Sequence, residues 1–366
     1  MKEYATCIPK LTFSRVSFRY TVFSCIMGKP RKEREEIQMK KLLAIILAAL
    51  LALSFAACTS SNERNDTVSD DKSVSAVEEN GDETELEELG EFNEEPTIKK
   101  TVLVDNDDIK ITATKLEYTG YSAELTIEME NKTKGELSVT SGTAGYSANS
   151  VNGYMISEYM NCDVPKGKKA TDTIEFDYTE LNIYGITEIA DIELAFTIDD
   201  ENYNSTYTDP VQIKTSIYKS YDYKTDTFRK AVNSSAIKDA FNVTVKKSAE
   251  DELLNKKSVK LSSEVFAVNK DGAACILLEF ENNSTKQLDI TINDLKVNKI
   301  MIQESYAAFD TINPGKRAIV AVEISSEKIE NASLTNDSIK EISFTVDVND
   351  QNYNSIISDE EITFSV

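Results

Sequence analysis

Residues 125–130 read Leu125-Thr126-Ile127-Glu128-Met129-Glu130, with apolar side chains at every second position. Successive side chains of a β-strand point to opposite faces, so this stretch predicts a strand with one buried and one wetted face. The turn that follows is Asn131-Lys132-Thr133-Lys134-Gly135. From residue 100 onward, short runs rich in Val, Ile, Thr, Tyr and Phe alternate with such turns. We therefore expect an all-β protein.

The same blocks occur twice, in the same order. Glu128-Met129-Glu130-Asn131 recurs as Glu279-Phe280-Glu281-Asn282. The other matching blocks are Val151-Asn152 and Val297-Asn298, Gly167-Lys168-Lys169-Ala170 and Gly315-Lys316-Arg317-Ala318, Phe196-Thr197-Ile198-Asp199 and Phe344-Thr345-Val346-Asp347, and Asn202-Tyr203-Asn204-Ser205 and Asn352-Tyr353-Asn354-Ser355. This order and spacing indicate two copies of one domain, which we name the first repeat (residues 100–217) and the second repeat (residues 255–366).

Each repeat has the length and turn spacing of an antiparallel β-sandwich with immunoglobulin-like architecture. We expect two such sandwiches in tandem, each with a short helical crossing, at residues 180–185 and 325–329. Residues 218–254 between the repeats predict a structured connector with a short helix. Asp226 is its expected N-cap, because apolar residues follow at near-helical spacing.

An export signal begins inside the chain, at Met39. Lys40 and Lys41 precede an apolar run over residues 42–57, which ends at Cys58. A charged start, an apolar run and small residues before a cysteine are typical of a bacterial lipoprotein signal. The alternative is a transmembrane helix, but the run has 16 residues and a bilayer core needs roughly 20. We predict a signal peptide at 39–57 and a lipid on Cys58, which would anchor the protein to the outer face of the cell membrane.

Two segments flank this signal. Residues 1–38 show no period and no export pattern, so we expect an untranslated or disordered extension. Residues 58–99 are rich in Asp, Glu, Ser, Thr and Asn and poor in aromatic residues, so we expect a disordered acidic linker. A tether that holds the repeats off the membrane is the favoured interpretation, and a calcium-collecting tail is the alternative.

Composition excludes several functions. The net charge of −23 disfavours nucleic-acid binding, which relies on basic patches. The chain has no His, so serine–histidine catalysis and histidine metal sites are excluded. Beyond Cys58 only Cys162 and Cys275 remain, too few for a thiolate metal cage. We predict no catalytic residue, no metal site and no cofactor.

Three tyrosines are the candidate binding residues: Tyr203, Tyr353 and Tyr154. Tyr203 and Tyr353 lie in matching Asn-Tyr-Asn loops, where exposed rings would form binding tips at the same end of both repeats. The alternative is turn chemistry, because Asp and Asn favour turns and Tyr packs over a sandwich edge. The second repeat carries Lys299 and Ile300 where the first has Gly153 and Tyr154, so the two repeats are not equivalent at Tyr154.

The signal ending in Cys58, the acidic linker and the blocks Val151-Asn152-Gly153-Tyr154-Met155 and Gly167-Lys168-Lys169-Ala170 resemble uncharacterised lipoproteins of Gram-positive bacteria with tandem immunoglobulin-like, telokin-like domains. The resemblance implies a fold and an envelope location but no catalytic residues. We expect a non-catalytic binding module for a protein or cell-envelope polymer. A structural spacer or accessory subunit of an envelope complex, and an unrecognised hydrolase, remain open.

Overall fold

The computed structural model describes residues 88–142 and 148–366, so the signal segment and Cys58 lie outside the described residues. Antiparallel β-sheets dominate, and the α-helices between the strands are six residues long. The fold is all-β and of the sandwich type, as the alternating sequence predicts. In the described ranges, no helix has the length and apolar character needed to span a bilayer.

The strands up to residue 214 are Thr101–Asp105 (β1), Ile109–Tyr118 (β2), Ser122–Asn131 (β3), Leu137–Ser141 (β4), Asn149–Val151 (β5), Tyr154–Ile156 (β6), Met160–Val164 (β7), Lys169–Asp177 (β8), Asp191–Leu194 (β9), Phe196–Asp200 (β10), Ser205–Tyr207 (β11) and Val211–Lys214 (β12). The later strands are Val243–Ala249 (β13), Leu254–Lys256 (β14), Val259–Asn269 (β15), Ala274–Asn282 (β16), Leu288–Val297 (β17), Ile300–Gln303 (β18), Ala308–Ile312 (β19), Arg317–Ile324 (β20), Glu341–Asp350 (β21) and Ser355–Ser365 (β22). The helices are Tyr178–Ile183 (α1), Thr227–Val232 (α2), Ala236–Phe241 (α3) and Ser326–Asn331 (α4), with a 3-10 turn at Asn336–Ser338.

Strand β3 shows how the alternating sequence builds the core. Leu125, Ile127 and Met129 are at most 1% exposed, whereas Glu128 on the opposite face is exposed. Burial of each such side chain stabilises the fold by about 1.5–3 kcal/mol. Phe280 of β16, which matches Met129, is likewise fully buried.

The pairing order of one sheet recurs in the two repeats. In the first repeat the order is β1-β2-β3-β8, and in the second β14, β15, β16 and β20 pair in the same sequence. The facing sheets also correspond. Strand β10 pairs with β4 and β11, as β21 pairs with β17 and β22. Strand β7 pairs with β4, as β19 pairs with β17. The crossing helices α1 and α4 follow β8 and β20, where the sequence predicts them.

The two repeats share one sheet. Strand β6 of the first repeat pairs in parallel with β20 of the second, through Tyr154 and Arg317. This contact joins strands of both repeats in a nine-stranded sheet. Ala148 and Met155 of the first repeat also pack into the hydrophobic core of the second. The side-chain amide of Asn313 donates a hydrogen bond of 3.1 Å to the carbonyl oxygen of Ala148. The junction is thus formed by backbone, apolar and polar contacts together.

Residues 92–98, which the sequence assigns to the disordered linker, make defined contacts with the first repeat. Phe92 stacks on Tyr178 with ring centroids 3.9 Å apart, and the backbone N–H of Asn93 donates to the carbonyl of Thr187 at 2.7 Å. Ile98 forms an antiparallel bridge with Thr215. The boundary is corrected because Phe92, an aromatic residue in an acidic segment, packs its half-buried ring against the first repeat.

The connector also differs from its prediction. The Asp226 side chain caps α2 by accepting from the backbone N–H of Arg229 at 2.9 Å, as expected. A second helix, α3, follows, so the connector holds two short helices. Strand β13, assigned to the connector from sequence, pairs antiparallel with β15 and extends the sheet of the second repeat. In the sequence, this strand is indicated by the alternation of Val243 and Val245.

Candidate functional site

The hairpin between β10 and β11 ends in a loop built on Asp200. One oxygen of its carboxylate accepts hydrogen bonds from the backbone N–H groups of Asn202 and Asn204, at 2.8 and 2.9 Å. The other accepts from the Asn204 side-chain amide at 2.8 Å. These bonds, the Asn204 amide first, hold the pKa of Asp200 below its usual value. The loop leaves Tyr203 at its tip with the side chain 91% exposed.

The hairpin between β21 and β22 repeats this construction. The carboxylate of Asp350 accepts from the backbone N–H groups of Asn352 and Asn354, both at 3.0 Å. The Asn354 side-chain amide donates to the same carboxylate at 3.1 Å. Tyr353 occupies the tip and is 63% exposed. The structure therefore places Tyr203 and Tyr353 at equivalent hairpin tips, as the sequence predicts.

Both tip tyrosines adopt a left-handed backbone conformation. The φ angle is 61° at Tyr203 and at Tyr353. This region suits Gly and Asn, and costs other residues roughly 1–2 kcal/mol. Turn chemistry explains the Asp and Asn residues around them, but not a large aromatic ring at a strained position. Since Tyr203 is almost fully exposed, packing does not explain its ring either.

The surroundings of the two loops differ in the charges beside the aspartate. In the second repeat the Lys286 ammonium lies 2.9 Å from Oδ2 of Asp350, whose side chain is fully buried. This ion pair is the first cause of a strongly lowered pKa at Asp350. In the first repeat Gly135 takes the place of Lys286, and a cavity of about 270 Å3 opens beside Asp200.

Tyr154 lies in the junction between the repeats, and its assignment to a binding surface is corrected. Its side chain is 3% exposed, and its hydroxyl donates a hydrogen bond of 2.9 Å to Oε1 of Glu279. Arg317 Nη1 donates to the Tyr154 hydroxyl at 3.3 Å and lies 3.5 Å from the same Glu279 oxygen. Tyr154 is buried because its strand, β6, pairs with β20 of the second repeat.

Burial sets the ionisation of this cluster. Desolvation, followed by the charge of Asp226, raises the pKa of Glu279, while Arg317 acts against it. Desolvation and Glu279 also raise the pKa of the Tyr154 phenol. Ser262 Oγ donates to Oε2 of Glu279 at 2.9 Å, so both carboxylate oxygens have partners. The cluster is a satisfied buried network that joins the repeats, and sequence reasoning missed it because its members are far apart in the chain.

A larger cavity, of about 540 Å3, lies where the first repeat meets the connector. Its charged lining residues are Glu88, Glu188, Asp222, Arg229 and Lys230. Opposite charges line the same space, so the lining does not favour one class of ligand by charge.

The carboxyl groups with raised pKa values lie away from both cavities. Glu158 is buried, and desolvation together with the nearby Glu180 raises its pKa well above the usual value. Neither Glu158 nor Glu279 lines either cavity described above. Over the described ranges, no three Asp, Glu or Cys side chains are arranged to hold a metal ion.

The two described cysteines occupy different settings. Cys275 is buried, and desolvation raises its pKa to about 12, so its thiol stays protonated. Leu277 on the same face of β16 is also buried, as are Ile276 and Leu278 on the opposite face, so both faces of this strand are covered. Cys162 is half-buried on β7 and has a raised pKa, chiefly from desolvation.

No protein-family model matches the chain, and no curated protein matches it either. Among solved structures, red sea bream transglutaminase is 9% identical, covers 74% of this chain and 31% of its own, and has a TM-score of 0.19. The exo-chitosanase CsxA of Amycolatopsis orientalis is 10% identical over 66% of this chain and 25% of its own, also at 0.19. A conserved domain protein of Bacillus anthracis is 11% identical over 76% and 94%, at 0.18. The chain thus spans at most a third of the two enzymes, and none of these likenesses bears on its activity.

Proposed function

We propose that the protein is a membrane-anchored envelope lipoprotein that acts as a non-catalytic binding module, with Tyr203 as its principal contact residue and Tyr353 as a second one. One observation carries this proposal. The same Asp-braced loop presents an exposed tyrosine at positive φ in both repeats. Strain at an exposed position is typical of recognition sites, where pre-organisation is retained for function.

A tyrosine suits such a tip for physical reasons. Its ring offers a large contact area with few rotatable bonds, and its hydroxyl supplies a hydrogen bond. The Asp200 loop fixes the backbone beneath it through three hydrogen bonds. Little conformational freedom is then lost when a partner binds, which favours affinity.

The anchor in this proposal is a lipid on Cys58, supported by the sequence of the signal at 39–57. The acidic segment that follows would act as a tether, since like charges extend a chain. Together they would hold the repeats at the outer face of the cell membrane, where the exposed tyrosine tips would meet an envelope protein or polymer.

A spacer or accessory subunit is the second candidate, and the junction favours it. Strands β6 and β20 join the repeats in one sheet, and Tyr154, Glu279 and Arg317 link them through buried polar contacts. A fixed junction suits a spacer, which holds the parts of an envelope complex at a constant distance. It also suits a module that presents two binding tips, so the junction alone does not separate the two functions.

Crosslinking in the native host separates them. The full chain would be produced with Tyr203→Ala, with Tyr353→Ala and with both, and crosslinked adducts would be compared by mass spectrometry. Tyr121→Ala is the matched control, because Tyr121 is 62% exposed but lies on the β2–β3 turn rather than on a tip.

A binding module predicts an adduct that is weakened by Tyr203→Ala, lost in the double variant and kept in Tyr121→Ala. An adduct that persists in every variant would contradict the role of the tips. The spacer predicts that an adduct, if formed at all, depends on neither tyrosine.

A further inference from the structure

The turn between β3 and β4 is built like the turn between β16 and β17. In each, a side-chain amide, from Asn131 or Asn282, donates to two carbonyl groups. The matching bonds are Asn131 Nδ2 to Gly135 O (2.9 Å) and Asn282 Nδ2 to Lys286 O (2.7 Å), and Asn131 Nδ2 to Val164 O (2.8 Å) and Asn282 Nδ2 to Ile312 O (2.8 Å). Gly135 and Lys286 therefore occupy the same backbone position.

Strand register places that position beside the tyrosine loop in both repeats. Leu137 pairs with Asp200, and Leu288 pairs with Asp350. In the second repeat the Lys286 ammonium reaches Asp350 at 2.9 Å. In the first repeat the matching position, Gly135, lines the same cavity as Asp200.

Gly135 has no side chain, and the space that a side chain would fill is part of the cavity of about 270 Å3. Its carboxylate-bearing lining residues are Asp108, Glu136, Asp200 and Glu201. None of the lining residues, all of them in the described part of the chain, is Lys or Arg. A Cβ on Gly135 would lie 3.1 Å from the carboxylate of Glu201. The Glu201 carboxylate therefore lies beside the space that a side chain at position 135 would occupy. The second repeat has the neutral Gln351 at the equivalent position.

We propose that this cavity binds the ammonium group of a lysine side chain from a partner protein, with Asp200 as the principal acceptor. This inference rests on the proposed binding function and specifies its chemistry. The second repeat shows the occupant, because Lys286 places a lysine ammonium on the equivalent carboxylate. An ammonium needs several acceptors but no fixed coordination geometry, which suits a site where no three acidic side chains are arranged for a metal ion within the described residues.

The position of Tyr203 fits this proposal. The tyrosine and Asp200 belong to the same loop, and the Tyr203 backbone N–H donates to the Asp200 carbonyl at 2.9 Å. A lysine in the cavity would bring the partner surface against the Tyr203 ring. The net charge of −23 would also steer a basic partner towards this protein.

Glycine-selective NMR of the full chain tests the inference directly. The chain has 12 glycines, so labelling glycine with nitrogen-15 gives a simple spectrum in which Gly135 reports on the cavity. Gly135→Lys identifies its signal by removing it. The probe is Nα-acetyl-lysine methylamide, and its Nε-acetylated form is the uncharged control. Calcium and glucosamine serve as competing cations.

We expect a saturable shift of the Gly135 signal with the lysine probe, with a Kd on the order of millimolar, and none with the acetylated control. Asp200→Asn should weaken binding about tenfold, since it removes the charge but keeps the loop acceptor. Lys286→Gly should open the equivalent cavity in the second repeat, so the introduced glycine should give a second responsive signal.

A Gly135 signal that does not move with the lysine probe, or moves equally with the acetylated probe, would overturn the inference. A response to calcium or to glucosamine alone would assign the cavity to another cation and overturn it as well. Neither result would decide the proposed binding function, because loss of an adduct in Tyr203→Ala would still support a binding module.

Discussion

The hydroxyl of Tyr154 in the first repeat donates a hydrogen bond of 2.9 Å to the buried carboxylate of Glu279 in the second. Arg317 contacts both side chains, so these three residues form one set of polar contacts across the junction. An isolated buried carboxylate is unstable, and here each oxygen has a partner. The stability of the junction therefore depends on a complete network.

Tyr154→Phe should weaken this network. The substitution keeps the ring but removes the hydrogen bond to Glu279, and we expect a loss of about 1–3 kcal/mol in the free energy of unfolding. Urea unfolding followed by circular dichroism measures it. Tyr121→Phe is the control, with an expected change within about 0.5 kcal/mol because its side chain is exposed. Equal effects of the two variants would contradict the role of Tyr154.

The buried Glu158 predicts a pH dependence of stability. Its folded-state pKa is raised above the unfolded value, first by desolvation and then by Glu180. Between those two values the folded protein holds the proton more tightly, so this group's contribution to stability is lost as pH rises from about 4.5. Glu158→Gln should remove that loss. Urea midpoints from pH 4 to 8 would show a smaller fall for the variant, and parallel profiles would show that Glu158 does not titrate in this way.

Gly185 should not tolerate a side chain. Its φ is 67°, and a Cβ at this position would overlap the carbonyl group of Thr227 at the start of α2. Gly167 is a matched control, because its φ is 60° and nothing lies within 4 Å of its Cβ position. We expect Gly167→Ala to cost roughly 1–2 kcal/mol, and Gly185→Ala to cost at least about 2 kcal/mol more. Thermal unfolding of both variants decides whether α2 packs this closely on Gly185.

Tyr203→Gly should separate stability from binding. Glycine adopts positive φ without strain, so the free energy of unfolding should rise by about 1 kcal/mol. The envelope adduct should nevertheless be weakened, because the contact ring is gone. Tyr203→Ala keeps the strain and loses the ring, which makes it the control. A Tyr203→Gly protein less stable than Tyr203→Ala would contradict the backbone strain, because both variants lack the ring and differ only in the Cβ.

Local patterns predicted the all-β fold well. Alternation in β3, the turn after Asn131 and the N-cap at Asp226 depend on neighbouring residues, and local physics determines them. The sequence contains the difference between Gly135 and Lys286, but only the structure shows that Lys286 meets Asp350. The end of the linker could not be predicted from sequence, because Phe92 meets its partner Tyr178 only in the folded chain.

The role of Tyr154 shows the same limit more sharply. A tyrosine beside Gly153 in a turn has the sequence pattern of an exposed tip. Its burial depends on the pairing of β6 with β20, a contact between residues far apart in sequence. The sequence position of a junction residue within its own repeat therefore predicts neither its exposure nor its partner.

The pairing of β6 with β20 has a consequence for how tightly a partner could be held. The hairpins that carry Tyr203 and Tyr353 belong to separate sheets, but their repeats are joined by strand pairing rather than by the connector alone. Once a partner has met one of them, the other is presented at a high effective concentration, without the entropy loss of a flexible link. Two weak contacts could then act together with an avidity that neither has alone.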